Sequence, residues 1–301
     1  MRRILAGVVL IGLFTVGGAA AQSPLACEDR LLGMLTGYTK AGLPGTAGRL
    51  ARLTDSVRGV WMDQGRQWFG LNGEVVNVKE FGAIGDSAAD DTTAIQAAVD
   101  AIPAGSPGGV VYLPRGIYNI SAEIAIARSQ IVIAGAGPDE TIVRTMTAAQ
   151  HGFHFSAGGN GGVRDLQVTS GITKTAGAGI WFDTYGESLI RDVVISGQFI
   201  GIDLNGAAAL NRVNNVRISS ITPTTGIGIR ITGGGLEQYI TDTFIKGVSQ
   251  SQQALTGIQV LNAGALYLQN VAVLFGGIGM DFSPTGTNEV NDVFMSGGRS
   301  E

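Results

Sequence analysis

The chain has 301 residues, a formal net charge of −4, 45% apolar residues, 15% charged residues and 47 glycines. That is ample apolar material for a core and leaves no basic excess to bind nucleic acid. With one cysteine, an intramolecular disulfide is excluded, so the fold rests on its core.

Arg2 and Arg3 precede the apolar run Ile4 to Val16, which ends in Ala19-Ala20-Ala21-Gln22. A charged start, a short apolar middle and small residues at a cleavage point predict a secretory signal peptide over residues 1–21. The mature protein is expected outside the cytoplasm, extracellular or periplasmic, with no membrane contact after cleavage. Pro24-Leu25-Ala26-Cys27 leaves a lipoprotein cut before Cys27 as the alternative.

Residues 22–72 read as a small β-hairpin module. Arg49 to Leu53 and Val57 to Met62 form two strand patterns around Thr54-Asp55-Ser56, and Gln67-Trp68-Phe69 follows a second turn. Gly48-Arg49-Leu50-Ala51, Val60-Trp61-Met62-Asp63 and Gly65-Arg66-Gln67-Trp68 resemble the small β modules of phage tail fibres and spikes.

A β-helix domain is read over residues 73–301. Asp90-Asp91-Thr92 precedes a helix predicted over 91–102, with an apolar face of Ile95, Ala98, Val99 and Ile102 and a stop at Pro103. Asp91 or Thr92 is expected to cap that helix, and the helix to plug the open end of the fold. Val76 to Asp86, Asp90 to Val99 and Gly108-Gly109-Val110-Val111-Tyr112-Leu113-Pro114 together resemble the opening domain of the pectate lyase superfamily. That superfamily includes polygalacturonase-like and rhamnogalacturonan-degrading enzymes, β-1,3-glucanases and phage tailspikes. The resemblance implies a right-handed parallel β-helix acting on an extracellular polysaccharide.

Downstream, a glycine followed by an apolar-x-apolar run comes round six times, at Gly152, Gly179, Gly201, Gly228, Gly257 and Gly279. Thirteen or fourteen residues after each stands Asn or Asp: Asp165, Asp192, Asn215, Asp242, Asn270 and Asp292. Alternating apolar runs at this period cannot bury their own faces, so regular coils over 152–296 are expected to stack into a solenoid. Asn and Asp tolerate left-handed backbone, so those positions predict a ladder of corners.

In the first run of each coil the residue between the apolar pair points outward, giving the column His154, Trp181, Asp203, Arg230, Gln259 and Asp281. Two residues further on stand Ser156, Asp183, Asn205, Thr232, Leu261 and Ser283. The outward column of the last run reads Gln167, Val194, Arg217, Phe244, Ala272 and Phe294, a face suited to packing under loops or another subunit.

Rings, carboxylates, amides and arginine are what sugar binding requires. Asp183, Asp203 and Arg230 are the candidate catalytic residues; His154, Trp181, Glu187, Gln259 and Asp281 are the candidate substrate contacts. For an inverting hydrolase, Asp183 and Asp203 lie on adjacent coils at roughly 7–8 Å, within the span of about 6.5–9.5 Å that admits a water. Arg230 marks Asp203 as the base and leaves Asp183 or Glu187 as the acid. For a lyase, Arg230 takes the proton next to a uronate carboxylate, with Ca²⁺ as an accessory ion; otherwise no metal or cofactor is expected. The Asn-x-Asp, Asp-Asp, Gly-His-Gly and Arg-x-Lys set of polygalacturonases is absent, and no calcium-lyase set of aspartates is evident. The competing reading is a non-catalytic tailspike- or adhesin-like glycan-binding rod, assembled as a homotrimer. No segment covers the last coil, so truncation at the C-terminus or a covering partner is expected.

Overall fold

The computed structural model describes residues 75–300, apart from 103–107, 207–209, 220, 222–225, 234–236, 248–254, 275–276 and 285–289, and three strands before them. The chain divides into two compact units, Met1–Leu71 and Asn72–Glu301. In the first, Leu50–Arg52, Val60–Asp63 and Trp68–Gly70 form an antiparallel sheet in sequence order. The signal-peptide residues lie outside the described ones, as does Pro103.

The second unit is an all-β parallel solenoid. Seven strands, Ile124–Ile126, Phe153–Phe155, Ala178–Asp183, Ile200–Asn205, Ile227–Ile231, Thr256–Val260 and Ile278–Phe282, stack in parallel and in sequence order to make the front sheet. The first copy, at Ile124-Ala125-Ile126, lacks the leading glycine and so escapes the sixfold pattern. Behind it a fifteen-stranded sheet carries the remaining runs.

Alternate side chains stack into buried columns. Phe153, Ile180, Ile202, Ile229 and Ile258 align in one, and Phe155, Phe182, Leu204, Ile231 and Val260 in another. The coil glycines follow from close approach: a Cβ on Gly228 would lie 2.4 Å from the carbonyl oxygen of Gly257, and one on Gly257 2.5 Å from that of Gly279. No side chain fits where one coil's backbone sits directly on the next.

Five of the six predicted corners are left-handed: Asp165, Asp192, Asn215, Asp242 and Asn270, with φ between 49° and 57°. The ladder is cross-linked, Asn215 Nδ2 donating to Asp192 Oδ1 at 2.7 Å and Asn270 Nδ2 to Asp242 Oδ1 at 2.8 Å. The sixth assignment is corrected. Met295, not Val290, pairs with Leu268, so Gly297 (φ 64°) takes the corner and Asp292 pairs with Ala265 instead. By the same shift Arg299, not Phe294, stands beside Ala272, while Phe294 pairs with Tyr267. Glycine reaches the left-handed region as readily as Asn, so Asn/Asp spacing alone mislocated the last bend.

The helix runs Thr92–Ala101 and buries Ile95, Ala98 and Val99 against the core. Its N-cap is Asp91, but the Asp91 carboxylate makes no capping bond. It reaches back, Oδ1 accepting from the Ile84 N–H at 2.6 Å and Oδ2 from the Gly85 N–H at 3.0 Å. The capping acceptor is Asp90, whose Oδ1 receives the Thr92 N–H at 3.0 Å.

Candidate functional site

The predicted outward column forms in register. His154 pairs with Trp181, Trp181 with Asp203, Asp203 with Arg230, Arg230 with Gln259 and Gln259 with Asp281, each on successive strands of the front sheet. Six coils thus place side chains from residues 154 to 281 along one line.

At the lower end is a three-ring cluster. The His154 imidazole stacks on the Trp181 indole at 3.9 Å and 13°, and His151 stacks on the same indole at 4.4 Å and 25°. The imidazoles are 5.9 Å apart, too close to sandwich the indole between them. His151 was missed in the sequence because it lies before the strand, in the link. Its Nδ1 accepts from the Ala178 N–H at 3.1 Å, which places its proton on Nε2. Burial pulls its pKa below the ordinary histidine value, against the opposing pull of Glu123.

His154 is held differently. Its Nδ1 meets Glu123 Oε1 at 3.0 Å, Glu123 coming from the link before the preceding strand. Its Nε2 is buried, has no hydrogen-bond partner among the described residues, and lies 4.0 Å from Asp183 Oδ2. Trp181 Nε1 is likewise buried and unpartnered. Two adjacent ring nitrogens, one imidazole and one indole, thus stand in need of a partner.

Asp183 sits in the second column, paired with Asn205, whose Nδ2 donates to Asp183 Oδ1 at 3.5 Å. Asn205 Oδ1 in turn accepts from Thr232 Oγ1 at 2.8 Å. Asp203 departs from the expectation of a solvent-facing base: it is 2% exposed. Both of its oxygens are taken by Arg230, Nε donating to Oδ1 at 3.1 Å and Nη2 to Oδ2 at 2.5 Å. Arg230 closes over the carboxylate in a fork, which explains the burial and leaves neither group placed as a proton acceptor. Further up, Gln259 Nε2 donates to Asp281 Oδ2 at 3.2 Å, and Ser283 Oγ donates to Asp281 Oδ1. Glu187 lies off the column, exposed at a left-handed corner with φ 52°.

Under the cluster runs Lys174, 1% exposed, its Nζ donating to the carbonyls of Thr147 at 2.7 Å and Gln150 at 2.6 Å. It ties down the segment that delivers His151. Among the described residues, no group of three or more His, Cys, Asp or Glu side chains is arranged to hold a metal ion. Among the same residues, no helix is long and apolar enough to cross a membrane.

Comparison with known proteins gives a family match over residues 75–273, to the model for rhamnogalacturonase A/epimerase, pectate lyase-like. Mannuronan C5-epimerase AlgE4 of Azotobacter vinelandii is 38% identical over 136 residues, 40% of this chain and 24% of that protein. Alginate lyase 7 of the same organism is 39% identical over 114 residues, 34% of this chain and 13% of that protein. The chain spans under a quarter of the length of these relatives. Among solved structures, the tailspike protein gp49 of Acinetobacter baumannii bacteriophage Fri1, a capsular polysaccharide depolymerase, shares the fold. Its TM-score is 0.57 at 13% identity, over 89% of this chain and 61% of that one.

Proposed function

Because the chain belongs to the rhamnogalacturonase A/epimerase, pectate lyase-like family, we propose that its front sheet binds an acidic polysaccharide and moves a proton on a uronate ring. One observation carries this reading: His154, fixed by Glu123 at Nδ1, turns an unpartnered Nε2 toward Asp183 on the coil above. With the Nδ1 proton donated to Glu123, Nε2 offers a lone pair. That lone pair takes the proton from the carbon next to the uronate carboxylate. The electron pair left on carbon has two outcomes. Reprotonation from the opposite face inverts the centre, which is epimerisation. Alternatively it forms a C=C bond while the glycosidic oxygen on the next carbon leaves with a proton, which is lysis. In lysis the proton that His154 has taken can pass through Asp183, 4.0 Å from Nε2, to the leaving oxygen; epimerisation takes its new proton from solvent on the opposite face.

Trp181 supplies apolar surface for the sugar ring, and Arg230, held by Asp203, supplies positive charge for a uronate carboxylate. Gln259 and Asp281 continue the strip for neighbouring sugars. An inverting hydrolysis by Asp183 and Asp203 is less well supported, since Arg230 takes both oxygens of Asp203. The relatives named as an epimerase and a lyase of mannuronan and alginate support a uronate substrate. The leader-like segment over 1–21 supports export to where such polymers occur.

The test is incubation with polymannuronate and polygalacturonate in D₂O. Deuterium at the carbon next to the carboxylate, or absorbance from unsaturated uronates, is the expected result, lost in His154→Gln and Asp183→Asn. Binding to these polymers with no exchange, no absorbance and no new reducing ends would instead favour the glycan-binding rod, for which trimeric assembly is the natural form. The Asp203–Arg230 and Gln259–Asp281 pairs, already satisfied within the protein, are what favour that rival.

A further inference from the structure

A second outward strip lies on the fifteen-stranded sheet, away from the His151, His154 and Trp181 cluster. Tyr239, Tyr267 and Phe294 pair in register on three successive coils. Their rings stack at 4.7 and 4.8 Å, within 9° of parallel, and the Arg212 guanidinium on the coil below lies 5.6 Å from the Tyr239 ring centre. Two residues along, Thr241, Gln269 and Ser296 form a parallel column of hydroxyls and an amide. Between the columns lies a shallow depression of about 510 Å³. On the other flank Glu237, Ala265 and Asp292 align. The Glu237 carboxylate accepts the Tyr239 hydroxyl, which fixes that ring.

We infer that this strip is a second glycan-binding site, one that takes a neutral polysaccharide chain lying along the solenoid axis. Stacked rings present their edges outward, so they make an apolar wall for the C–H faces of sugars, and the facing column makes a hydrogen-bonding wall. Both walls repeat at one coil, close to the rise of one sugar in an extended glycan, so successive sugars meet the same pair of contacts. Charge selects the class. Arg212 is in no ion pair among the described residues, but Glu237 and Asp292 flank the rings, so the strip carries no net positive charge to hold a polyanion. Carboxylates, amide and hydroxyls are instead acceptors and donors for uncharged sugar hydroxyls.

Affinity electrophoresis of the full chain in gels containing barley β-glucan, konjac glucomannan or dextran tests this. Retardation by at least one is expected. Tyr267→Ser should weaken it about tenfold, equivalent to about 1.4 kcal/mol. Gln269→Ala, an exposed change that leaves the ring stack intact, should weaken it in the same direction, while Trp181→Ala should leave it unchanged. No retardation by any of the three polymers overturns the inference, as does retardation of Tyr267→Ser and Gln269→Ala equal to the parent, or its loss in Trp181→Ala. Polyuronate gels run alongside report on the front sheet, so failure there is read separately.

Discussion

Lys174 should make the protein more stable as the pH rises from 8 to 10, the reverse of what alkaline conditions usually do. Burial pulls its ammonium from 10.5 to about 8. Between those values the unfolded chain holds a proton that the folded chain has released, so stability climbs with pH. At about 1.4 kcal/mol per unit of pKa the full window is worth on the order of 3 kcal/mol. The neutral amine still has two N–H groups for the Thr147 and Gln150 carbonyls, so deprotonation does not require the contact to break. Tyrosines act with the opposite sign. Burial pushes Tyr185 up to about 12, and the folded state keeps a proton that the unfolded chain loses above about 10, so stability falls there. The guanidinium midpoint, measured at constant ionic strength, should therefore rise from pH 8 to about 10 and then decline. Lys174→Met should flatten the rise and keep the decline. Its level at pH 7 is no test, because removing the charge and removing the donor from two carbonyls offset each other at about 1–3 kcal/mol apiece. A parent with constant midpoint between pH 8 and 10, or a variant with the parent's slope, would refute the reasoning.

Asn215→Ala should cost about 1–2 kcal/mol from left-handed backbone and a little more from the lost bond to Asp192, whereas Asn215→Gly should cost less; thermal melts order the two. Gly228→Ala, whose methyl would meet the Gly257 carbonyl, should cost about 1–3 kcal/mol in denaturant unfolding. Asp91→Ala strands the Ile84 and Gly85 N–H groups and should cost on the order of 3 kcal/mol, read in the same way. His154→Gln should lower kcat on polymannuronate by about 100-fold or more while leaving KM within a few-fold, since the ring's stacking surface is only partly lost; a parallel rise in KM alone would reassign His154 to binding.

The architecture was legible because a solenoid repeats its constraints. Each coil must place a glycine where backbones touch, alternate apolar residues where they face inward, and a residue tolerant of left-handed backbone at the bend. Gly201-Ile202-Asp203-Leu204 and Asn215 show all three within fifteen residues. The same regularity put His154, Trp181, Asp203, Arg230, Gln259 and Asp281 on one line before any coordinates. It failed where chemistry allows two solutions, as at Gly297, and where a coil lacks its marker, as at Ile124.

The site was less legible for a related reason. An outward position between two buried ones is polar by default on every coil, so pattern ranks none of these residues above another. What separates them is contact with segments outside the repeat: Glu123 and His151 reach the column from links, and Lys174 pins one of those links from a third. Those links differ in length and sequence from coil to coil and obey no period. Asp203 shows the converse. Sequence made it an exposed carboxylate beside an arginine, and it is the arginine, folding over it in a two-point fork, that shuts it from solvent. In a β-helix the scaffold sets which side chains can meet, and the irregular links decide which of those meetings leave a reactive atom free. His154 Nε2, buried but without a hydrogen-bond partner among the described residues, is such an atom, which is why the proton-transfer reading centres on it rather than on the two aspartates that spacing alone had favoured.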